Sequence, residues 1–337
     1  MKTIMTRILA ADIGGTKTLL QLAEVSPPQT TVMKQHSYDS GGFRSFTEVL
    51  DDFLAGSDIP RDGIDHACFA VAGPVARDRR SANVTNLPWQ LDAAALERSS
   101  AIPSVRIIND FEAVAHSISA LPDDSFETLQ QGEYSPNGNR LIIGAGTGLG
   151  AAQLYRDDDR TIILPSEVGH CDFSPVDHIQ RQLLEYLAAR MDHVSWETVL
   201  SGPGLVNTYR FLCSLDPGAE NPSLKTVLDT RDDAAAISDF ALRQQDPLAG
   251  KALSLFVSLY GSAAGNLALV TLPYGGIYIA GGIAAKILPA MKNGTFMAAL
   301  TSKSKMSTLL GMFPVRVVMN PEAGLIGART AALVSRF

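Results

Sequence analysis

Short apolar runs separated by turn residues open the chain. Runs at residues 8–11, 19–25 and 31–33 predict three successive strands that form a β-meander. Runs at residues 68–71 and 105–108 predict two further strands, each followed by a helical pattern. A strand-then-helix order is typical of a largely parallel α/β sheet.

A stripe of apolar residues predicts the first helix. Its spacing of i, i+3, i+4, i+7 and i+8 places the side chains on one buried face. Ser45 and Glu48 are spaced as a capping box at the start of this helix, and Gly56 is placed to end it. The stripe consists of Phe46, Val49, Leu50, Phe53 and Leu54.

The opening pattern begins again near residue 140. Both halves start with a strand, a glycine turn, a strand, a polar turn and a strand, which predicts two domains of related fold that face each other. The second set of strands is predicted at residues 141–143, 150–154 and 161–164. Later elements are predicted as helices at residues 179–191, 205–215, 234–242, 253–272 and 323–334, and as strands at residues 276–280 and 315–319.

Composition narrows the class of protein. The length of 337 residues suggests two domains, and 28 Lys and Arg against 35 Asp and Glu give a net charge of −7. No basic run appears in the sequence, so we expect no nucleic-acid partner. The three cysteines, Cys68, Cys171 and Cys213, are far apart, which excludes a disulfide framework and favours a reducing, cytoplasmic location.

A charge-free segment at residues 252–285 is long enough to span a membrane. Polar residues interrupt it, however, and Pro273, Gly275 and Gly276 divide it in two. We therefore predict a buried helix followed by a buried strand, and no membrane partner.

Two glycine-rich turns are candidates for phosphate binding. In DIGGTKT, which starts at Asp12, glycines after a strand would let backbone N–H groups approach phosphate oxygens, and the carboxylate would suit a Mg²⁺-bound water. A tight hairpin is the alternative interpretation. The second turn, GAGTGLGAA at residues 144–152, fits the dinucleotide fingerprint only loosely, because a strand rather than a helix is predicted after it.

Several polar residues follow predicted strands, where α/β proteins place reactive groups. Asn109 and Asp110 end one strand, although Asp110 could serve only as a helix N-cap. Glu167 and His170 share a loop and could be structural, while a metal site at His170 lacks partner ligands. Glu197 could merely favour a helix dipole. The AGG segment at residues 280–282 could contact a nucleotide or form an ordinary turn.

Taken together, nine segments resemble the bacterial glucokinase family, within the sugar-kinase, hexokinase and actin-like ATPase group. The similarity extends over nearly the whole chain. The segments, in order, are AADIGGTKT (10–18), AVAGPV (70–75), NLPW (86–89), IINDFEAVA (107–115), GAGTGLGAA (144–152), LPSEVGHCDF (164–173), SGPGLVNTYR (201–210), IYIAGGI (277–283) and NPEAGLIGA (320–328).

The resemblance implies a fold and an activity. The fold would be α/β, with two facing domains of the actin-like ATPase (ribonuclease H-like) type and an interdomain cleft. Residues 1–112 would form a small domain, residues 113–319 a large domain, and residues 320–337 a helix returning to the small domain. The activity would be ATP-dependent phosphorylation of glucose at the 6-hydroxyl with Mg²⁺, in a cytoplasmic homodimer.

The resemblance also implies roles for individual residues. Asp110 would be the general base. The sugar would bind Asn109, Asp110, Glu167, His170 and Glu197. ATP would bind Ala11, Asp12, Ile13, Gly14, Gly15, Thr16, Gly144, Gly146, Thr147, Gly148, Gly281 and Gly282.

Two positions depart from the usual family pattern, and other functions stay open. Val168 stands where the family usually has glycine, and Lys17 where it often has asparagine; at both positions the chain is closer to the zinc-containing sugar kinases.

Alternative functions are phosphorylation of another hexose, or sugar sensing without catalysis on the same fold. A dehydrogenase using the second glycine turn is a more distant alternative.

Overall fold

The computed structural model describes residues 5–27, 29–56, 59–157, 160–230 and 233–334. These residues divide into two compact units. The first unit runs up to Asp123 and resumes at Asn320, and the second is Asp124–Met319.

Strands and helices alternate in the first unit. Its strands are β1 (Thr6–Ile13), β2 (Lys17–Ser26), β3 (Gln29–Asp39), β4 (His66–Val71), β5 (Ser81–Asn83), β6 (Gln90–Asp92) and β7 (Val105–Asn109). Its helices are α1 (Phe46–Ala55), α2 (Ala93–Ser100), α3 (Asp110–Ser117) and, after the second unit, α14 (Ala323–Leu333). Helix α3 runs across residue 112, where the family resemblance implies a domain boundary.

The main sheet of the first unit has the strand order β3-β2-β1-β4-β7. The meander β1–β3 pairs antiparallel, whereas β4 pairs in parallel with both β1 and β7. The predicted parallel pairing of β4 and β7 and the predicted meander are both present, but the sheet as a whole is mixed rather than largely parallel, because the short hairpin connections make β1–β3 antiparallel.

Helix α1 begins where the sequence predicts. Ser45 is its N-cap and accepts a hydrogen bond from the Glu48 N–H at 3.3 Å. The Glu48 carboxylate accepts from the N–H of Arg44 at 2.9 Å instead of that of Ser45. The predicted capping box is therefore only half formed, because the Glu48 side chain bonds the N–H one residue before the N-cap. The predicted apolar stripe is buried.

The second unit is built around another mixed sheet. Its strands are β8 (Phe126–Gln130), β9 (Arg140–Ala145), β10 (Leu149–Asp157), β11 (Arg160–Ser166), β12 (Ile277–Ala280) and β13 (Val315–Val318). Its helices are α4 (His178–Ala188), α5 (Trp196–Val199), α6 (Gly202–Leu215), α7 (Pro222–Leu228), α8 (Ala234–Leu242), α9 (Pro247–Thr271), α10 (Gly282–Lys286), α11 (Leu288–Met291), α12 (Thr295–Thr301) and α13 (Ser307–Met312).

The repeat seen in the sequence is present in the two sheets. The second sheet has the order β11-β10-β9-β12-β13-β8. In each unit the first meander strand is flanked by an antiparallel neighbour and by a later parallel strand: β1 by β2 and β4, β9 by β10 and β12.

The charge-free segment forms the long helix α9 followed by strand β12. By length and composition this helix could cross a membrane, but 67% of its most apolar window is buried inside the structure. Phe256 and Tyr260 pack in the core of the second unit, and all four residues of β12 are buried. The prediction of a buried helix followed by a buried strand is confirmed.

Small side chains let α14 approach the first sheet and α3 closely. Ala10, Ala70, Ala113 and Ala328 meet in one buried cluster. Gly327 is the closest point, because a Cβ built there would lie 1.7 Å from the carbonyl oxygen of Ala113 in α3. Any side chain at this position must push the two helices apart.

We expect Gly327→Ala to lower the free energy of unfolding by about 3 kcal/mol, because the added methyl group overlaps backbone that cannot move independently. Urea denaturation measures this change. The matched control is Gly250→Ala in α9, where an added Cβ meets nothing within 4 Å. That variant should be neutral or stabilised by up to about 1 kcal/mol. Equal effects of the two substitutions would contradict the close approach of α14 and α3.

Candidate active site

The parallel strands of the first unit end at one level. Ile13 in β1 is paired with Val71 in β4, and Val71 with Asn109 in β7. The turn after β1, the loop after β4 and the junction after β7 therefore share the carboxyl edge of this sheet. That edge carries the predicted residues Asp12 and Asp110.

The first glycine turn is a tight hairpin. The Gly14 N–H donates to the Lys17 carbonyl at 3.0 Å, and the Ser40 hydroxyl donates to the Gly14 carbonyl at 2.9 Å. The Ser40 N–H also donates to the Thr16 carbonyl at 3.0 Å. Among the described residues, the N–H groups of Gly15 and Thr16 donate to no protein acceptor. Hydrogen bonds at the Gly14 and Thr16 carbonyls thus hold the turn, while the N–H groups of Gly15 and Thr16 stay available.

Asp12 is a partly buried carboxylate near the end of β1. Desolvation raises its pKa from the ordinary 3.8 to about 6, although the nearby charge of Lys17 acts in the opposite direction. The first turn of α14 adjoins the carboxylate, since a Cβ built on Gly324 would lie 2.4 Å from Asp12 Oδ2. A glycine at position 324 therefore leaves the space that Asp12 occupies.

Asn109 and Asp110 form a direct junction between β7 and α3. Asn109 is the N-cap: its Oδ1 accepts from the Phe111 N–H at 2.9 Å, and its Nδ2 donates to the Gly73 carbonyl at 3.4 Å. Asp110 is the first residue of the helix, and its Oδ1 also accepts from the Phe111 N–H, at 3.0 Å. The interpretation of Asp110 as the cap is therefore wrong, because the asparagine before it takes that position.

The second glycine turn joins β9 to β10. The Gly146 N–H donates to the Gly148 carbonyl at 2.8 Å, and the Gly146 carbonyl accepts from the N–H of Gly202 at the start of α6, also at 2.8 Å. Thr147 is exposed at the tip. Because a strand follows this turn, it lacks the helix that the dinucleotide fingerprint requires. The dehydrogenase interpretation is therefore not supported.

Glu197 lies against this turn. Its Oε2 accepts a hydrogen bond from the Leu149 N–H at 2.8 Å, and a Cβ on Gly148 would lie 2.4 Å from the same oxygen. The residue belongs to the short helix α5, which Ser195 caps with a complete capping box. Glu197 thus accepts a specific backbone hydrogen bond, in addition to any favourable interaction of its charge with the dipole of α5.

The loop that carries Glu167 and His170 lies beside the same strand end. Gly169 is buried, and a Cβ there would lie 2.2 Å from the Leu149 carbonyl oxygen. The Trp196 N–H donates to the Cys171 carbonyl at 2.9 Å, and the rings of Phe173 and Trp196 pack with centroids 5.3 Å apart. These contacts bring the loop and helix α5 together around Leu149.

The loop residues Glu167 and His170 are both exposed to solvent. In the described part of the chain, no three His, Cys, Asp or Glu side chains are grouped so that they could hold a metal ion.

The turn after β12 adjoins the second glycine turn. Gly281 has φ of +83° and caps α10, which starts at Gly282, and a Cβ on Gly281 would lie 2.5 Å from the Ala145 carbonyl oxygen. Gly144 pairs with Ala280 across the sheet. The predicted groups at residues 144–148 and 281–282 are therefore neighbours within the second unit.

Some residues that shape these turns were not predicted. Ser40 donates to the Gly14 carbonyl of the first turn, Gly324 adjoins Asp12, and Tyr260 in α9 accepts from the Ala145 N–H at 2.9 Å. The segment NPEAGLIGA is one of the nine that resemble the glucokinase family, but nothing local indicates that its first glycine meets a carboxylate more than 300 residues earlier. Only the folded chain reveals these contacts.

A family model described as Glucokinase matches residues 9–334. The chain belongs to the glucokinase family. A glucokinase of Nostoc punctiforme is 43% identical over 97% of this chain and 99% of its own length. The crystal structure of a glucokinase from an Antarctic psychrotroph superposes with a TM-score of 0.83 at 30% identity, covering 98% of this chain and 99% of that one.

The glucokinase fold extends to more distant proteins. A ROK-family glucokinase of Streptomyces griseus, solved with glucose and AMPPNP, has a TM-score of 0.64 at 20% identity and covers 98% of this chain and 99% of its own. At that identity the likeness shows the fold alone. The mixed α/β fold and the predicted membership of the glucokinase family are confirmed, while the roles of individual residues stay predictions.

The desolvated carboxylate of Asp12 should cost stability at neutral pH. Because its folded-state pKa is about 6 against an ordinary 3.8, the folded chain binds more protons than the unfolded chain between these values, and stability falls as pH rises through this window. We expect Asp12→Asn to be more stable than the unsubstituted protein at pH 7.5 by roughly 1 to 3 kcal/mol, with the difference nearly gone at pH 4. Urea denaturation at both pH values measures it.

The exposed residue Asp62 supplies the control. Asp62→Asn should change stability by a similar small amount at both pH values. If Asp12→Asn showed no pH-dependent gain over this control, the assigned desolvation of Asp12 would be wrong.

Proposed function

We propose that this protein transfers the γ-phosphoryl group of ATP to the 6-hydroxyl of glucose, which yields glucose 6-phosphate and ADP. The observation that carries the proposal is the Asn109–Asp110 junction, in a chain of the glucokinase family. A carboxylate held at a strand end without an intervening loop is well suited to meet a bound hydroxyl.

The sugar is proposed to bind five side chains: Asn109, Asp110, Glu167, His170 and Glu197. Each sugar hydroxyl can donate and accept, so carboxylates can accept from two hydroxyls while Asn and His add donors. Glu197 uses one oxygen on the Leu149 N–H, which orients the other for a ligand. Solved glucokinases with bound glucose support this choice of substrate.

ATP phosphates are proposed to bind the two glycine turns. In the first unit the site comprises Ala11, Asp12, Ile13, Gly14, Gly15 and Thr16, and the open amides of Gly15 and Thr16 suit an anion. In the second unit it comprises Gly144, Gly146, Thr147 and Gly148, with Gly281 and Gly282 near the adenosine. The AMPPNP complex of a relative with the same fold supports a nucleotide ligand.

Mg²⁺ would accompany ATP and neutralise charge on its phosphates. Asp12 fits a role beside this ion, since a desolvated carboxylate next to open backbone amides is an oxygen ligand suited to a hard cation or its water. The ion would favour the charged form of Asp12.

Asp110 is proposed to accept the proton of the 6-hydroxyl as that oxygen attacks the γ-phosphorus. The bond from the γ-phosphorus to the bridging oxygen breaks, and ADP leaves with that electron pair. Asn109 and the Phe111 N–H hold the junction, so that the carboxylate needs little reorganisation. The glycine turns stabilise phosphate charge through their amide dipoles.

The larger arrangement belongs to the same proposal. A small domain, a large domain and an interdomain cleft would let closure exclude water, which would otherwise react with ATP. A cytoplasmic homodimer is proposed as the working form. The division at residues 112 and 319 stays a prediction.

The first test removes the proposed base. Asp110→Asn should lower kcat at least roughly a hundredfold, because the amide cannot take up the proton, while glucose still binds. A coupled assay of glucose-stimulated ADP release measures kcat, and calorimetry measures glucose binding. Circular dichroism establishes that the variant is folded.

The exposed residue Asp62 again provides a matched Asp→Asn control, expected to keep full activity. A folded Asp110→Asn protein with more than about a tenth of the original kcat would overturn the assignment of the base. Absence of any glucose-stimulated ADP release in the unsubstituted protein would instead overturn the kinase function and favour a sugar sensor.

A second test separates the structural and ligand roles of Glu197. Glu197→Gln keeps an acceptor for the Leu149 N–H but loses the charge, so the protein should stay folded while KM for glucose rises roughly ten- to a hundredfold. Glu197→Ala should also lose about 1 to 3 kcal/mol of stability, because the Leu149 N–H loses its partner.

Glu185, which is exposed on α4, is the control for this charge change. Glu185→Gln should leave both KM and stability unchanged. An unchanged KM for glucose in Glu197→Gln would limit Glu197 to supporting the glycine turn.

A further inference from the structure

A buried ion cluster joins β7 to α3 on either side of the Asn109–Asp110 junction. Arg106 precedes the junction in β7, and Glu112 follows it in α3. Glu112 is only 3% exposed. Its Oε1 lies 2.8 Å from Arg79 Nη1 and 3.6 Å from Arg106 Nη2.

Glu112 is the centre of this cluster, because its carboxylate faces both arginines. Burial raises the pKa of Glu112, and the arginines act against this rise. His116, one turn further along α3, is neutral because burial, Arg106 and Arg79 lower its pKa to about 4. A buried carboxylate is tolerated when opposite charges face it, and both Arg79 and Arg106 face Glu112 within ion-pair distance.

Arg79 ties Glu112 to β7 by a second route. Its backbone has φ of +58°, and its carbonyl accepts from the Ile107 N–H of β7 at 3.3 Å. A left-handed backbone at a non-glycine residue persists only where the surroundings hold it. Glu112 is thus connected to β7 directly by Arg106 and through the backbone of Arg79.

We propose that Glu112 is a positioning residue, whose ion pairs with Arg79 and Arg106 set the direction in which α3 leaves β7 and so direct the Asp110 carboxylate. This inference rests on the proposed function, in which Asp110 is the base. Since β7 ends at Asn109 and α3 starts at Asp110, no loop can absorb a change of helix direction.

Arg80, which follows Arg79 in the loop between β4 and β5, offers a control near the first residue of β7. Arg80 donates to both carboxylate oxygens of Glu97, at 2.9 and 2.8 Å. Glu97 also accepts from the N–H of Val105, the first residue of β7, at 3.0 Å. Glu97→Gln therefore weakens an ion pair that contacts the first residue of β7, four residues before Asn109 and away from Asp110.

The experiment compares Glu112→Gln with Glu97→Gln in the full chain. Glu112→Gln should lower kcat at least roughly tenfold with KM for glucose within about threefold, because misdirection of the base affects the chemical step. Amide hydrogen exchange at Phe111, whose N–H bonds Asn109 and Asp110, should accelerate at least roughly tenfold. Glu97→Gln should change neither quantity more than about threefold at matched folded fraction.

Equal losses of kcat in the two variants, or equal exchange rates at Phe111, would overturn the inference. If Glu112→Gln does not fold, Arg79→Gln decides, because it removes the nearer partner and leaves Glu112 facing Arg106. Its kcat should fall in the same direction, and an unchanged kcat would overturn the inference. Glu112→Asp, which keeps the charge, should recover part of the kcat lost in Glu112→Gln.

The two proposals fail in different ways. If the unsubstituted protein shows no glucose-stimulated ADP release, the proposed function fails, whereas the exchange of Phe111 still shows whether Glu112 fixes the junction. If the unsubstituted protein is active and both glutamate variants behave alike, only the role of Glu112 fails.

Discussion

The approach of α14 to α3 and β1 is the constraint on which the first unit depends. At Gly327 the helices are too close for any side chain, and at Gly324 the helix backbone adjoins the Asp12 carboxylate. Close packing of this kind permits few alternative arrangements. Helix α14 therefore packs against both β1, which carries Asp12, and α3, which carries Asp110.

The two glycine turns show how one local pattern serves in two settings. In the first unit, Ser40 supports the turn from outside and two amides remain open. In the second unit, the turn and the strand after it are held by Gly202 and Glu197. A repeated backbone scaffold can thus acquire different supports in each copy: a serine hydroxyl at the first turn, and a glycine N–H with a glutamate carboxylate at the second.

Much of the fold follows from local pattern, because apolar periodicity and turn residues act over short distances. The meander of each unit, helix α1 and the long helix α9 were predictable on this basis. The sheet of the first unit was harder, since strand direction depends on which strands become neighbours. The family resemblance supplied the candidate residues, but the contact of Glu197 with the Leu149 N–H joins positions 48 residues apart and has no local signal. The ion pairs of Glu112 likewise depend on Arg79, which is distant in sequence.

Helix α14 also has a consequence for how the chain acquires its structure during synthesis. The strands β1–β7 emerge first, yet the helix that packs beside Asp12 and Ala113 is made only after the entire second unit. Contacts of such sequence separation close late and slow folding, because a long loop must be ordered before they form. A ribosome-bound chain would thus hold a completed second unit while the first still exposes the apolar surface that α14 covers. A helix made this late leaves the surroundings of Asp12 incomplete until the second unit has been synthesised.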